Sequence, residues 1–310
     1  MSGRRDEESL PEEEKRSRPH PKDAPERLPA AIRRSLPQAA WWVVCASLAV
    51  LFLYPLYVMI SHSLKAPNEA SAGPPTLYPH DLSLEHYRAL SGDGGIDILA
   101  NIGNSLVVSL GTTLATVVLG TLGGYGFARL RFPGSNALFF AALVTFMIPF
   151  QALITPLYLL LDHLGLLNSL LGLTLVYTTF QLPFGLFLMR NSFAAVPRSL
   201  EEAARLDGCG ILQTLIRVML PVALPGVIAT GLLAFFTAWN EFFAALILIT
   251  EQERFTLPVS LSVIASGALG SVNWGILQAG VTVTIVPCLI IYLLLQKYYV
   301  GGLLGTMVGK

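Results

Sequence analysis

Apolar residues dominate this chain in long runs, and charge is confined to the stretches between them. A bilayer core of roughly 30 Å needs roughly 20 apolar helical residues to cross it. Six runs meet that length: 39–60, 102–128, 136–161, 169–189, 221–249 and 274–295. They predict six membrane-spanning helices. Pro55, Pro149, Pro156, Pro183, Pro225 and Pro287 fall inside these runs and are expected to kink helices, which membrane bundles tolerate. Ahead of the first run, residues 1–38 hold nine Lys or Arg, eight Asp or Glu and six Pro. Such a segment cannot bury enough surface to offset chain entropy. It is expected to be a disordered tail, followed by one membrane domain over 39–310. An acidic leader ahead of so long an apolar run does not fit a cleaved signal peptide.

Composition agrees with this pattern. The 310 residues are 53% hydrophobic and 13% charged, against about a quarter charged in soluble globular domains. The formal net charge of zero conceals an asymmetry that fixes orientation. Lys22, Arg27, Arg33, Arg34, Arg129, Arg131, Arg190, Arg198, Arg205, Arg217, Lys297 and Lys310 fall on one side of the six-span arrangement. Lys65, Arg88 and Arg254 fall on the other. Both termini and the 190–220 segment are therefore expected in the cytoplasm, with the 61–101 and 250–273 loops outside. Cys45, Cys209 and Cys288 have no paired spacing, so neither a disulfide framework nor a zinc site follows.

The 190–220 segment is the chain's most informative stretch. Pro197 stops the preceding helix, and Ser199-Leu-Glu-Glu202 fits a capping box. A short helix is expected to run to about Leu206, where Gly208 and Gly210 break it. A second runs from about Ile211 to Leu220, with Leu212, Leu215, Ile216 and Met219 at helical spacing. The product is a helix-turn-helix shelf with one apolar face and a charged tip. By periodicity alone it is equally an amphipathic connector lying on the lipid surface, and Glu202 is equally a mere cap.

The pattern Glu202-Ala-Ala-Arg-Leu-Asp-Gly208, nine residues, then Val218-Met-Leu-Pro221 resembles the signature loop of bacterial ABC importer permeases. Val218 stands where isoleucine is usual, and Cys209 where alanine is common. Asn104-Ser-Leu106, Gly124-Tyr-Gly-Phe-Ala-Arg-Leu-Arg-Phe-Pro-Gly134, Met147-Ile-Pro149, Phe187-Leu-Met-Arg-Asn191 and Trp239-Asn-Glu-Phe242 resemble the sugar permeases of the maltose-transporter type. So does the ending from Tyr299, though its last residues are altered. The likeness covers nearly everything from residue 40 onward.

This resemblance implies an all-α, six-span permease subunit of the type I ABC importer fold. It implies import of a mono- or oligosaccharide into the cytoplasm by alternating access. The loop would act as a coupling helix docked on an ATPase subunit through Glu202, Ala203, Ala204, Asp207 and Gly208. The implied partners are a homologous second permease, two ATP-binding subunits and an extracytoplasmic solute-binding protein. ATP-Mg would be held by the ATPase subunits, leaving this chain with no cofactor and no catalysis of its own.

The sequence carries no Gly-x-x-x-x-Gly-Lys-Ser/Thr loop. Gly120 and Gly124 form a small-xxx-small pair that reads as helix packing. His62, His80, His86 and His163 lie in or beside outward loops without metal spacing, and read as solvated or capping residues. An acidic residue mid-bilayer costs about 2.5–3.5 kcal/mol on insertion scales, so Glu241 should face the bundle interior or an aqueous cavity. It fits a tie between helices near the outer boundary, or the lining of the solute route. Gln181, Asn240 and Asn104 are further candidates for that route, and Asn104 fits packing or capping equally well. The 250–273 loop is long for a simple turn; related permeases reach from here toward a docked binding protein, and a plain loop fits as well.

Rival classes find less support. An ion-driven transporter needs midplane coupling groups and usually an internal repeat. An intramembrane hydrolase needs a base and a nucleophile at membrane depth. An importer permease for a polyol or glycerol phosphate remains open at this stage.

Overall fold

The computed structural model describes residues 38–70, 76–91, 96–268 and 272–308. Apart from Gln38, the tail expected over 1–38 lies outside the described residues. The chain divides into two compact units, 1–56 and 57–310. Helix α1 (Gln38–Ser63) begins in the first unit, where Trp41, Trp42, Leu51 and Phe52 are all exposed. Its hydrophobic residues surround the axis, as expected of a helix solvated by lipid.

The second unit is built from α2 (Ile98–Arg129), α3 (Ser135–Thr145), α4 (Phe150–His163), α5 (Leu170–Ala195) and α6 (Arg198–Leu206), followed by an arm over Ile211–Val222. Then come α7 (Leu224–Asn240), α8 (Phe243–Leu248), α9 (Leu257–Ala265) and α10 (Trp274–Val308). Among the described residues, four helices are long and apolar enough to cross a membrane: α1, α2, α5 and α10. Two further spans arise if each of two bent pairs counts as one, α3 with α4 and the arm with α7.

These bends revise two of the expected helices. The run over 136–161 is not one helix: α3 and α4 meet at 94°. Pro149 sits at the start of α4 with φ −64°. It has no N–H to continue a helix, and it disfavours helical backbone at the residue before it. The run over 221–249 is also divided. The arm turns into α7 through 81°, and α7 ends at Asn240, two residues before α8. Pro55, Pro156, Pro183 and Pro287, by contrast, are carried inside continuous helices.

Helix α2 packs along α5 through small residues. A Cβ added at Gly120 would lie 3.3 Å from the backbone of Gly185, and one at Gly185 would lie 2.9 Å from Thr116 Cγ2. At Gly124 it would lie 2.6 Å from Met189 Cβ and 2.8 Å from the amide nitrogen of Arg190. Apolar side chains gain little from leaving lipid, so close backbone approach drives such contacts. Arg190, one turn from the end of α5, lies over the Phe139 ring of α3 at 4.2 Å.

Over its described residues the 250–273 loop carries helical structure of its own. Helix α9 is held against α2 by Asn101 Nδ2 to Ser260 Oγ (2.7 Å) and by Leu257 N–H to Ser105 Oγ (2.7 Å). His86 departs from the solvated or capping reading: it is buried, lies against Gly275, and its Nε2 finds no partner among the described residues. Burial pushes its imidazole below the ordinary histidine range, opposed by the neighbouring Glu85 carboxylate.

The α2–α5 contact yields a direct test. Gly124→Ala should destabilise the purified protein by about 1–3 kcal/mol, the cost of overpacking a filled interface. Gly126→Ala, where nothing lies within 4 Å of the added methyl, should be neutral or slightly stabilising. Equal unfolding temperatures for the two variants would contradict this packing.

Candidate functional site

Two places combine unusual side chains with unusual backbone: the α6 shelf and a cavity between α2, α5 and α7. The shelf grows from a buried knot. Glu201, in the first turn of α6, is only 7% exposed. Its carboxylate accepts from Arg205 Nη2 at 2.7 Å and from the Tyr125 hydroxyl at 3.4 Å, and lies 3.8 Å from Arg129 Nε. Arg129, the last residue of α2, also donates through Nη2 to the carbonyls of Phe193 and Val196 at the end of α5. Phe193 O also accepts the Val196 N–H at 3.2 Å, and a cation suits the negative end of the helix dipole, where carbonyls run short of helical donors. One guanidinium thus fastens the ends of two long helices to the start of α6. Tyr125, Met189, Phe193, Val196, Leu215, Met219 and Ala223 form the apolar cluster beneath it.

The knot sorts the α6 residues by face. Glu201 and Ala204, three apart, are buried, whereas Glu202, Ala203, Leu206, Asp207 and Gly208 are exposed. Ala204 therefore packs at the root of the shelf, on the same face as the buried Glu201, whereas the other residues expected at the docking surface are exposed. The proposed capping box is absent: α6 starts at Arg198 behind Pro197, with no side-chain cap. Proline has already set the entry angle, which leaves the Glu202 side chain free to face outward.

At the far end Gly208 adopts φ +81°, a conformation that strains any residue with a Cβ. The chain turns there, with Cys209 N–H bonding to Ala204 O (3.0 Å) and Gln213 Oε1 accepting from Gly210 N–H (3.2 Å). The arm then passes through a π-turn at Leu215–Met219 before bending into α7.

Several functional candidates escaped the sequence reading. Leu206 is 89% exposed at the tip, where a soluble helix end would bear a polar group. Glu201 could have been found from its i,i+4 spacing to Arg205, but nothing local points to Arg129, seventy-two positions earlier in the chain.

The cavity has a volume of about 380 Å³. Its walls are Thr112 of α2, the break between α3 and α4, Tyr177, Phe180 and Gln181 of α5, and Thr237 and Glu241 at the end of α7. The α3–α4 break delivers Phe146 and Phe150 to it, and Phe150 meets Phe180 edge-on at 4.5 Å. Glu241 accepts from the Tyr177 hydroxyl and from the amides of Ala244 (3.0 Å) and Ala245 (3.3 Å), so it caps α8 while lining the cavity. One side chain thus ties α5 to α8 and lines the cavity. Thr112 is buried, and its hydroxyl has no partner among the described residues.

The other two candidates for the solute route lie elsewhere. Asn104 donates to the carbonyls of Glu253 (2.8 Å) and Phe255 (3.1 Å), which ties the outer loop to α2. Asn240 is exposed, does not line the cavity, and donates back to Phe236 O at 2.8 Å. Helical phase explains this, since the residue next to Glu241 must face another way.

Comparison with known proteins adds an independent finding. Residues 98–301 match the family model described as binding-protein-dependent transport system inner membrane component. The chain is 34% identical over 268 residues to the trehalose transport system permease protein SugB of Mycobacterium tuberculosis, covering 86% of this chain and 96% of that one. It is 33% identical over 276 residues to the diacetylchitobiose uptake system permease protein DasC of Streptomyces coelicolor, covering 88% and 98%. Among solved structures, a bacterial ABC transporter that imports the acidic polysaccharide alginate is similar, with a TM-score of 0.72 at 27% identity over 86% of this chain and 98% of that one. The chain belongs to the binding-protein-dependent transport system inner membrane components, the permease subunits of ABC importers with the type I fold.

Proposed function

We propose that this permease carries a sugar inward through the cavity walled by α2, α5 and α7, driven through the exposed tip of α6. The observation that carries the reading is the tip itself. Glu202, Ala203, Leu206, Asp207 and Gly208 stand free on a helix whose opposite face is fixed by the Glu201 knot. A free carboxylate can pair with a cation on an ATPase subunit. A small methyl permits close approach, and Leu206 supplies an apolar knob of the kind that anchors interfaces.

The remaining assembly follows the family pattern: a second, homologous permease, two ATP-binding subunits that hold ATP-Mg, and a solute-binding protein outside. Arginine and lysine placement supports cytoplasmic termini and a cytoplasmic α6. Closure of the ATPase pair would pull on the tip and shift α2, α5 and α7 together. Only contacts that differ between the inward- and outward-open states can bias that exchange.

The cavity suits a sugar in particular. Rings of Tyr177, Phe180 and Phe150 offer apolar faces, while Thr112, Gln181 and Thr237 offer polar groups for hydroxyls. The trehalose and diacetylchitobiose permeases among the relatives support the same substrate class. A secondary transporter is disfavoured, since Glu241 is engaged as a helix cap.

Two substitutions test the two halves of this reading. Glu202→Lys should leave membrane insertion intact and lower solute uptake roughly tenfold or more, with loss of the ATPase subunit on co-purification. Normal uptake and normal co-purification would remove Glu202 from the coupling role. Gln181→Leu should preserve assembly and weaken apparent sugar affinity about 2- to 10-fold, the value of one hydrogen bond. Unchanged half-saturation in uptake would place the solute elsewhere.

A further inference from the structure

A second hollow lies at the C-terminal end of α2, separate from the aromatic cavity. It is a cleft of about 820 Å³ formed by residues 127–136 and one flank of α6. Arg129, Arg131, Arg198 and Arg205 line it, against Glu201 and Glu202. Glu201 is already engaged by Arg129 and Arg205. Arg131 and Arg198 are exposed and make no ion pair among the described residues. The cleft therefore holds a surplus of positive charge with two guanidinia free.

Its wall also includes the first turn of α3, where Gly134 occupies the cap position and offers no side chain to the first-turn amides. A helix start of this kind presents partial positive charge. The surroundings are apolar: Phe132 lines the cleft at 39% exposure, and α3, which carries no charged residue, leaves Leu138 and Phe140 57% and 66% exposed. Free guanidinia beside a greasy strip at the end of a spanning helix fit an amphiphile with an anionic head.

We infer that this cleft binds the phosphodiester headgroup of an anionic phospholipid of the cytoplasmic leaflet. The phosphate sits between Arg131 and Arg198, and an acyl chain lies along Phe132 and Phe140. Basic pockets at the cytoplasmic ends of spanning helices characteristically hold such headgroups. The leaflet assignment rests on the orientation proposed above. Because the same cleft touches the root of α6, the bound lipid would stiffen the shelf on which ATP-driven force acts.

The test uses the complete transporter in nanodiscs of phosphatidylcholine, with or without phosphatidylglycerol. Native mass spectrometry should find phosphatidylglycerol retained on the wild type and depleted roughly tenfold or more on the Arg131→Gln/Arg198→Gln variant, with ATPase subunits still bound. Equal retention on both would overturn the site. Displacement of the lipid by millimolar inorganic phosphate would assign the cleft to a soluble phosphate instead. Loss of the ATPase subunits with lipid retention unchanged would make it a protein interface. Impermeant maleimide labelling of Cys209 in intact cells, with Cys209→Ser as control, reads orientation separately. Labelling from outside would overturn the leaflet assignment and the proposed orientation together, whereas failed retention with protection from outside would overturn the lipid site alone.

Discussion

The Arg129–Glu201 contact joins the end of α2 to the start of α6 in a buried setting, and the faces of the shelf follow from it. A buried carboxylate is costly unless it is paired and hydrogen-bonded. Here Arg205 supplies the nearer charge at 2.7 Å, while Arg129, 3.8 Å away, adds a second and also holds the end of α5. Removing one member of such a pair typically costs about 3–5 kcal/mol, because the survivor is left charged and buried. The knot therefore resists local opening, and under the proposed coupling role a force applied to the tip of α6 would reach α2 and α5 before it unfolded the shelf. The exposed and buried faces of α6 are two consequences of this single placement.

From the knot upward, α2 and α5 are joined along glycines and threonines that permit backbone-to-backbone contact. A contact with so little slack moves as one piece. The same two helices contribute Thr112, Tyr177 and Gln181 to the cavity. The path from shelf to cavity thus runs through continuous helix and close packing, with no loop interposed. Glu241 finishes the far side by capping α8 at a break in the chain. A carboxylate satisfied in this way can remain at membrane depth without a counter-cation.

Much of this was legible in the sequence, and the remainder was hidden for identifiable reasons. Apolar run length located the four helices long enough to cross a membrane and the two bent pairs that bring the count to six if each is one span, because the bilayer imposes its thickness on composition. It could not show that 136–161 divides, since a proline inside a spanning run is as often accommodated as not; Pro156 is carried through while Pro149 breaks the helix. The α6 shelf and its turn at Gly208 were readable from proline and glycine placement. The burial of Ala204 was not legible, because an alanine pair gives no indication of which member faces inward. That depends on Glu201, whose burial is set by an arginine distant in sequence. Asn104 and Asn240 were candidates only as polar residues in apolar surroundings. One serves a loop carbonyl and the other its own helix, and neither use leaves a local trace in the sequence.

A double-mutant cycle at the knot tests the central claim most directly. Sugar uptake would be measured for Arg129→Gln, Glu201→Gln and the pair together in the assembled transporter. If one contact carries force from the shelf to the spans, each single change should lower uptake and the double should be no worse than either alone. Losses that simply multiply, or full activity in Glu201→Gln, would show that motion reaches the cavity by another route.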